Sequence, residues 1–140
     1  MMRSLALGFF MLCATLTYAQ NELTVELNLN RPTAGGTLRM VLCQSADAFN
    51  NEKGCMVKQA TATGDVVRVV FNNVPNGTYA IKVFHDVNDN GVLDTNWIGI
   101  PTEPYGFSND AMGTFGPPSF QQASFPVKLG ANTTRIRMKG

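Results

Sequence analysis

The chain has 140 residues, 11 Lys plus Arg against 10 Asp plus Glu, a formal net charge of +1 and 44% hydrophobic residues. That length suits one compact domain with a buried core. The near balance of charge, with no basic stripe or acidic tail, argues against nucleic acid or an anionic membrane surface as partner.

The first nineteen residues, "MMRSLALGFFMLCATLTYA", carry one early cation at Arg3, an apolar run from Leu5 to Leu16 and a small residue at Ala19. This order predicts a secretory signal peptide over residues 1–19, cleaved after Ala19, and a periplasmic or extracellular location. The apolar run is about a dozen residues, whereas crossing a bilayer takes roughly 20. No later segment is apolar enough to span, so no membrane span is expected once the signal is removed. Leu12 precedes Cys13 where a lipoprotein signal needs a small residue.

Residues 20–140 then form a single domain, in which period-two alternation dominates. In "ELTVELNLN", Leu23, Val25, Leu27 and Leu29 share one face and Glu22, Thr24, Glu26 and Asn28 the other, the pattern of a half-buried strand. "TLRMVLC" continues with Leu38, Met40 and Leu42 in step. The remaining mature cysteines, Cys43 and Cys55, bracket the polar "QSADAFNNEKG". In an oxidising compartment they read as a disulfide; closing a loop of that length stabilises by about 3 kcal/mol in the chain-entropy model. The alternative, a reactive pair, lacks CxxC spacing.

"MVKQATAT", "VVRVVFN" and "TYAIKVF" follow, with Val67, Val69 and Phe71 and then Tyr79, Ile81 and Val83 facing inward. "QQASFPVKL" and "TRIRMK" complete about seven short strands separated by turn signals, with no helical period. Pro126 marks an edge or a bulge. The expected fold is all-β, an antiparallel two-sheet sandwich of prealbumin-like or immunoglobulin-like type. Residues 86–119 show no clear strand and are expected to form one long ordered loop excursion. Trp97, Ile98, Ile100, Tyr105, Phe107 and Phe115 make this segment too apolar for disorder.

The excursion opens with "HDVNDNGVLD". Asp86, Asn88 and Asn90 alternate, Gly91 permits a sharp turn, Val92 offers a backbone carbonyl, and Asp94 falls at the ninth position. These are the first nine positions of an EF-hand-type calcium loop. Hard oxygens without thiolate suit calcium. The twelfth position is Trp97 in place of a bidentate glutamate, and a strand precedes the loop, so the fold is not an EF-hand; Glu103 is the nearest carboxylate able to complete the shell. An imperfect shell of this kind implies weak binding, Kd about 10⁻⁴ to 10⁻³ M. An Asx-rich turn without any ion is the rival reading.

His85, the one histidine, has no Cys or His companion at ligand spacing, and alternation puts it on the face of Tyr79, Ile81 and Val83. It reads as packed against the loop or as part of a ligand-binding site. Trp97, Tyr105 and Phe107 either build a satellite core or present an aromatic surface to a ligand. No nucleophile elbow, HExxH or phosphate-cradling loop is present. The sequence therefore favours a non-catalytic module binding a small ligand, a glycan or an envelope protein. The alternatives are a hydrolase centred on His85, Asp86 and Glu103, or a purely structural envelope protein.

"FNNVPNGTYAIKV" resembles prealbumin-like sandwich modules such as carboxypeptidase regulatory-like and collagen-adhesin B-type repeats. Adhesin repeats of that kind often carry an Asp/Asn-Gly calcium loop after the equivalent strand. The longer run from His85 through "GIPTEPYGFSND" to "FGPPSFQQASFPV" is similar to a family of small secreted bacterial proteins of unknown function. That resemblance implies export, a β-sandwich, and a single site joining the Asp/Asn loop to "YGFSN"; it implies no substrate.

Overall fold

A computed structural model describes residues 21–140; the expected signal peptide lies outside the described residues. Among the described residues eight strands form two sheets. β1 (Asn21–Asn28), β4 (Val66–Val74) and β8 (Ala131–Arg137) make a three-stranded sheet in the order β4-β1-β8. The second sheet runs β3 (Met56–Thr61), β2 (Thr37–Cys43), β5 (Gly77–Asp86), β6 (Tyr105–Phe107), with β7 (Phe125–Val127) also on β5. Pairing is antiparallel throughout except that β8 runs parallel to β1.

The alternation explains the architecture. Leu23, Val25 and Leu27 from β1, Leu38, Met40 and Leu42 from β2, Val67, Val69 and Phe71 from β4, and Tyr79, Ile81 and Val83 from β5 are all buried in one core between the sheets. Each residue of these sets points to the same face because successive side chains in a strand alternate. The solvent face of the three-stranded sheet carries a cross-strand charge triad. Glu26 receives the Nε of Arg68 at 3.2 Å and of Arg135 at 2.8 Å, and these two guanidinium groups hold its carboxyl below the usual carboxylate range against the smaller opposing effect of burial.

The structure differs from the sequence expectation in three segments. A strand was expected over Gln121–Leu129; instead Phe120–Ala123 is a short helix, α2, and the strand is only Phe125–Val127. Ser119 starts that helix: its hydroxyl accepts from the N–H of Gln122, whose side chain returns to the N–H of Ser119. This reciprocal cap satisfies two N–H groups that a helix start leaves free. The cysteine loop holds a second helix, α1 (Ala46–Asn51), capped by Ser45, and Cys43 is joined to Cys55 in a disulfide. Finally, the excursion contains β6, three residues that alternation alone is too short to announce.

β6 and β7 lie on the same edge of β5, at Lys82–Phe84 and Gly77–Tyr79 respectively. The gap between them is filled by Ser108, at the start of a 3-10 turn, Ser108–Asp110. Its buried hydroxyl accepts from the N–H of Ile81 at 2.9 Å and donates to the carbonyl of Ala123. One side chain thus completes a strand edge where no backbone is available. Asn109 adds bonds to the carbonyls of Gln122 and Ser124.

β6 also ties the two sheets together. Its Tyr105 exchanges two backbone hydrogen bonds with Lys139, just beyond β8, at 2.8 and 2.7 Å. The close approach requires Gly106, where a Cβ would stand 2.7 Å from Cγ2 of Ile136. Gly106→Ala is therefore expected to cost roughly 1–3 kcal/mol by overpacking, and Ser108→Ala a similar roughly 1–3 kcal/mol by leaving the Ile81 N–H unsatisfied. Urea unfolding of both variants checks these values; a change within about 0.5 kcal/mol, as for ordinary surface sites, would contradict them.

Candidate functional site

β5 ends at Asp86, whose side chain is fully buried. Removing a carboxylate from water costs several kcal/mol unless donors replace the lost hydration, and here three do. Arg39 Nε on the neighbouring β2 lies 2.6 Å from Oδ2, the N–H of Gly91 donates to the same oxygen at 2.8 Å, and the N–H of Asn90 donates to Oδ1 at 3.1 Å. Burial alone would raise the Asp86 pKa; the Arg39 bond and charge with the two backbone donors outweigh it, and the net shift is downward. The strand end therefore folds over on itself, with Asp89 turned to φ 55° and its carboxylate accepting from the hydroxyl of Thr37.

Glu103 performs the complementary task from the far side. Its Oε1 accepts from the N–H of Val87 and its Oε2 from that of Asp94, both at 3.0 Å, and the side chain is buried. One carboxylate thus pins both ends of the loop. Between them, Asn88 and Asn90 each donate an amide N–H to Asp94, at 2.7 and 2.8 Å. Their Oδ1 atoms accept from the N–H groups of Asn90 and Val92. Asp86, Asn88, Asn90, Asp94 and Glu103, all expected at one site, do lie in one network; the exposed Val92 lies on its rim. Within it every carboxylate oxygen already faces a donor. Among the described residues no group of three or more His, Cys, Asp or Glu is placed to hold a metal ion.

His85 points the other way, into the core side of the sheet, opposite Leu38 in the register. It is fully buried with Nε2 2.6 Å from the carbonyl of Gly35, and its Nδ1 has no partner. Adjacent strand residues face opposite sides, so His85 does not converge with Asp86 and Glu103 on a common cleft.

The outer face of the second sheet carries what sequence reasoning missed. Arg39, Val41, Val57, Lys82, Phe84, Tyr105 and Phe107 form the floor of an open groove of about 1120 Å³. Val92, Leu93, Ile98, Ile100, Met112, Phe115 and Pro117 from the excursion line it as well. One end is closed by a small second core, in which Phe49 of α1 packs against Phe107 and Phe120. Lys82 stands 4.6 Å above the Phe49 ring and 3.4 Å from Glu52, which puts its ammonium at that end of the groove. Of the aromatic residues singled out from the sequence, Tyr105 and Phe107 are half-buried and line the groove. Trp97 does not: it is 95% exposed. A signal for the groove was present in Val41 and Phe84, which are apolar on the strand face that alternation assigns to solvent.

Fold and site together define an all-β sandwich with an apolar groove over one sheet and a self-tied acidic loop at its rim. Residues 29–136 match the model of a family described as "Uncharacterized protein conserved in bacteria (DUF2141)". The chain belongs to that family. No curated protein and no solved structure matches it.

The depressed pKa of Asp86 sets a pH dependence. Its folded value lies below the unfolded one, so its contribution is complete above the ordinary carboxylate pKa of about 4 and drains as pH falls through the folded value. Asp86→Asn is expected to lose roughly 1.5–3 kcal/mol at pH 7, the range for hydrogen bonds to a charged group. The gap to wild type should narrow on acidification below about pH 4. Urea unfolding of both proteins at neutral and acid pH measures it; a gap independent of pH would contradict the ion pair.

Proposed function

We propose that this protein is an exported, non-catalytic binding module whose groove takes an elongated, largely apolar ligand, with the ligand's polar end toward Arg39 and Lys82. The observation that carries this reading is the apolar sheet face at the floor of the groove. A sandwich sheet normally turns its outer side chains to water, whereas here Val41, Phe84, Tyr105 and Phe107 line a groove of about 1120 Å³. Ligand sites are concave, mostly apolar and supplied with a few polar groups, and this groove has that composition. The disulfide and the expected signal peptide support a periplasmic or extracellular setting.

The test uses Nile red, a neutral apolar dye that brightens on leaving water. Wild type is expected to bind it saturably. Val57→Glu with Met112→Glu places two carboxylates in the groove at partly or largely exposed positions, and is expected to weaken binding by about tenfold or more, as for a loss of at least about 1.4 kcal/mol, at unchanged thermal stability. Equal binding by the double variant would reject the groove as the site.

A second reading is calcium binding by the Asp86–Asp94 loop. It is supported by the oxygen spacing and by the Asx-type turns in which Asn88 and Asn90 accept from Asn90 and Val92. An ion there would compete with Arg39 for Asp86 and displace two Asn amides from Asp94. Affinity should accordingly be weak, Kd about 10⁻³ M. Calcium at about 5 mM would then stabilise by roughly 1 kcal/mol, raising Tm by about 4 °C, and Asp94→Asn would abolish the rise. No shift in wild type would leave the loop as a turn held by its own side chains.

A further inference from the structure

The two loops that wall the groove end in large apolar side chains held away from the rest of the protein. At the first tip Trp97 is 95% exposed, Ile98 57% and Ile100 55%; at the second, Phe115 is fully exposed and Met112 46%. Ile98 and Ile100 line the groove from one loop and Met112 and Phe115 from the other, so both tips rise from a single rim.

Neither projection is loose chain. Asn96 builds the first: its Oδ1 accepts from the N–H groups of Ile98 and Ile100 at 3.1 and 3.0 Å. Its backbone N–H donates to the carbonyl of Ile100, and its carbonyl accepts from Gly99, at 2.9 and 3.0 Å. Thr95 and Pro101 close the base as a β-bridge. Four bonds to one residue therefore fix a turn that leaves Trp97 outside. The second tip is also compact: a Cβ on Gly113 would collide with the carbonyl oxygens of Gly116 and Pro117.

The charge distribution identifies what these tips meet. Thr95 to Thr102 contains no Asp, Glu, Lys or Arg, and neither does the whole run from Ala111 to Val127. A loop entering a lipid interface must shed its water, and each charge in it would oppose that step. Tryptophan is the side chain that favours the headgroup boundary, where its ring is buried and its N–H stays wet. Two separate protrusions, in place of one flat patch, suit a fluid surface that needs no shape complementarity. We propose that the Trp97–Ile100 and Met112–Phe115 tips dock this protein onto a lipid surface, with the groove opening toward it. Trp97 lies outside the groove lining, so its part in docking does not depend on what fills the groove.

Trp97 is the chain's one tryptophan, so its own emission reports the event. Mature protein is titrated with vesicles of zwitterionic phosphatidylcholine, and separately with vesicles containing anionic phosphatidylglycerol. The expected result is a blue shift of Trp97 emission and co-sedimentation with both, little changed by salt. Phe115→Ser should weaken partitioning about tenfold with the reporter intact, and Trp97→Ser with Phe115→Ser should abolish co-sedimentation. Circular dichroism melting shows that the variants remain folded; Trp97→Ser alone, outside the groove lining, is expected to weaken co-sedimentation while retaining Nile red binding, which separates docking from groove occupancy. Absence of any shift with either vesicle would overturn the proposal. So would binding confined to anionic vesicles, removed by salt and indifferent to the two substitutions. A blue shift that grows with protein concentration without lipid would overturn it in favour of contact between copies.

Discussion

The structure turns on how one strand end is brought out of water. β5 runs for ten residues through the middle of the second sheet and delivers a carboxylate, Asp86, to a position with no solvent exposure. A bare buried carboxylate is untenable, so three donors must be present together: Arg39 from β2 and the N–H groups of Asn90 and Gly91 from the chain just ahead. The last two can reach Asp86 only if the chain reverses within five residues. The reversal is thus forced by electrostatics as much as by the turn propensities of Asn and Gly. Everything downstream inherits its direction, because the excursion leaves this turn already aimed across the outer face of the sheet.

Glu103 makes that direction permanent. By accepting from Val87 and Asp94 it equates the position of two backbone points seven residues apart. It then hands the chain to Pro104 and β6, where the carbonyl of Pro104 takes the N–H of His85. The same segment pairs with β5 on one side and with Lys139 on the other. The acidic loop, the third strand neighbour of β5 and the C-terminal tail are consequently one mechanical unit. A loop so closed is a rigid wall, which is what a preformed groove requires.

Much of this was legible before any coordinates. The period-two sets around Leu23, Leu38, Val67 and Tyr79 named the core residues and hence the two sheets, and the two cysteines named the disulfide. Asp86, Asn88, Asn90 and Asp94 announced themselves as one constellation by residue type and spacing, and Glu103 only as the nearest later carboxylate. The hidden part was the partner of Asp86. Arg39 lies 47 positions earlier on another strand, and strand pairing register, which brings it beside the end of β5, is not written in either segment alone. β6 was hidden because three residues carry no periodicity. The α2 helix was hidden because its four residues are too few to show a helical period, and the deciding Ser119–Gln122 cap is a local signal of four residues.

The same comparison bears on what the acidic loop is for. Sequence spacing presents its oxygens as a potential ion shell, and oxygens alternating along a turn are what a cation site and a self-bonded turn have in common. The two differ in who supplies the positive charge. Here a fixed guanidinium and several oriented N–H groups already supply it. Arg39 is also on the floor of the groove, so the group that neutralises Asp86 faces the groove as well. Loop and groove are coupled through that one side chain. A ligand acceptor drawing on the guanidinium from the groove side, or a cation drawing on Asp86 from the loop side, acts on the same ion pair from opposite ends.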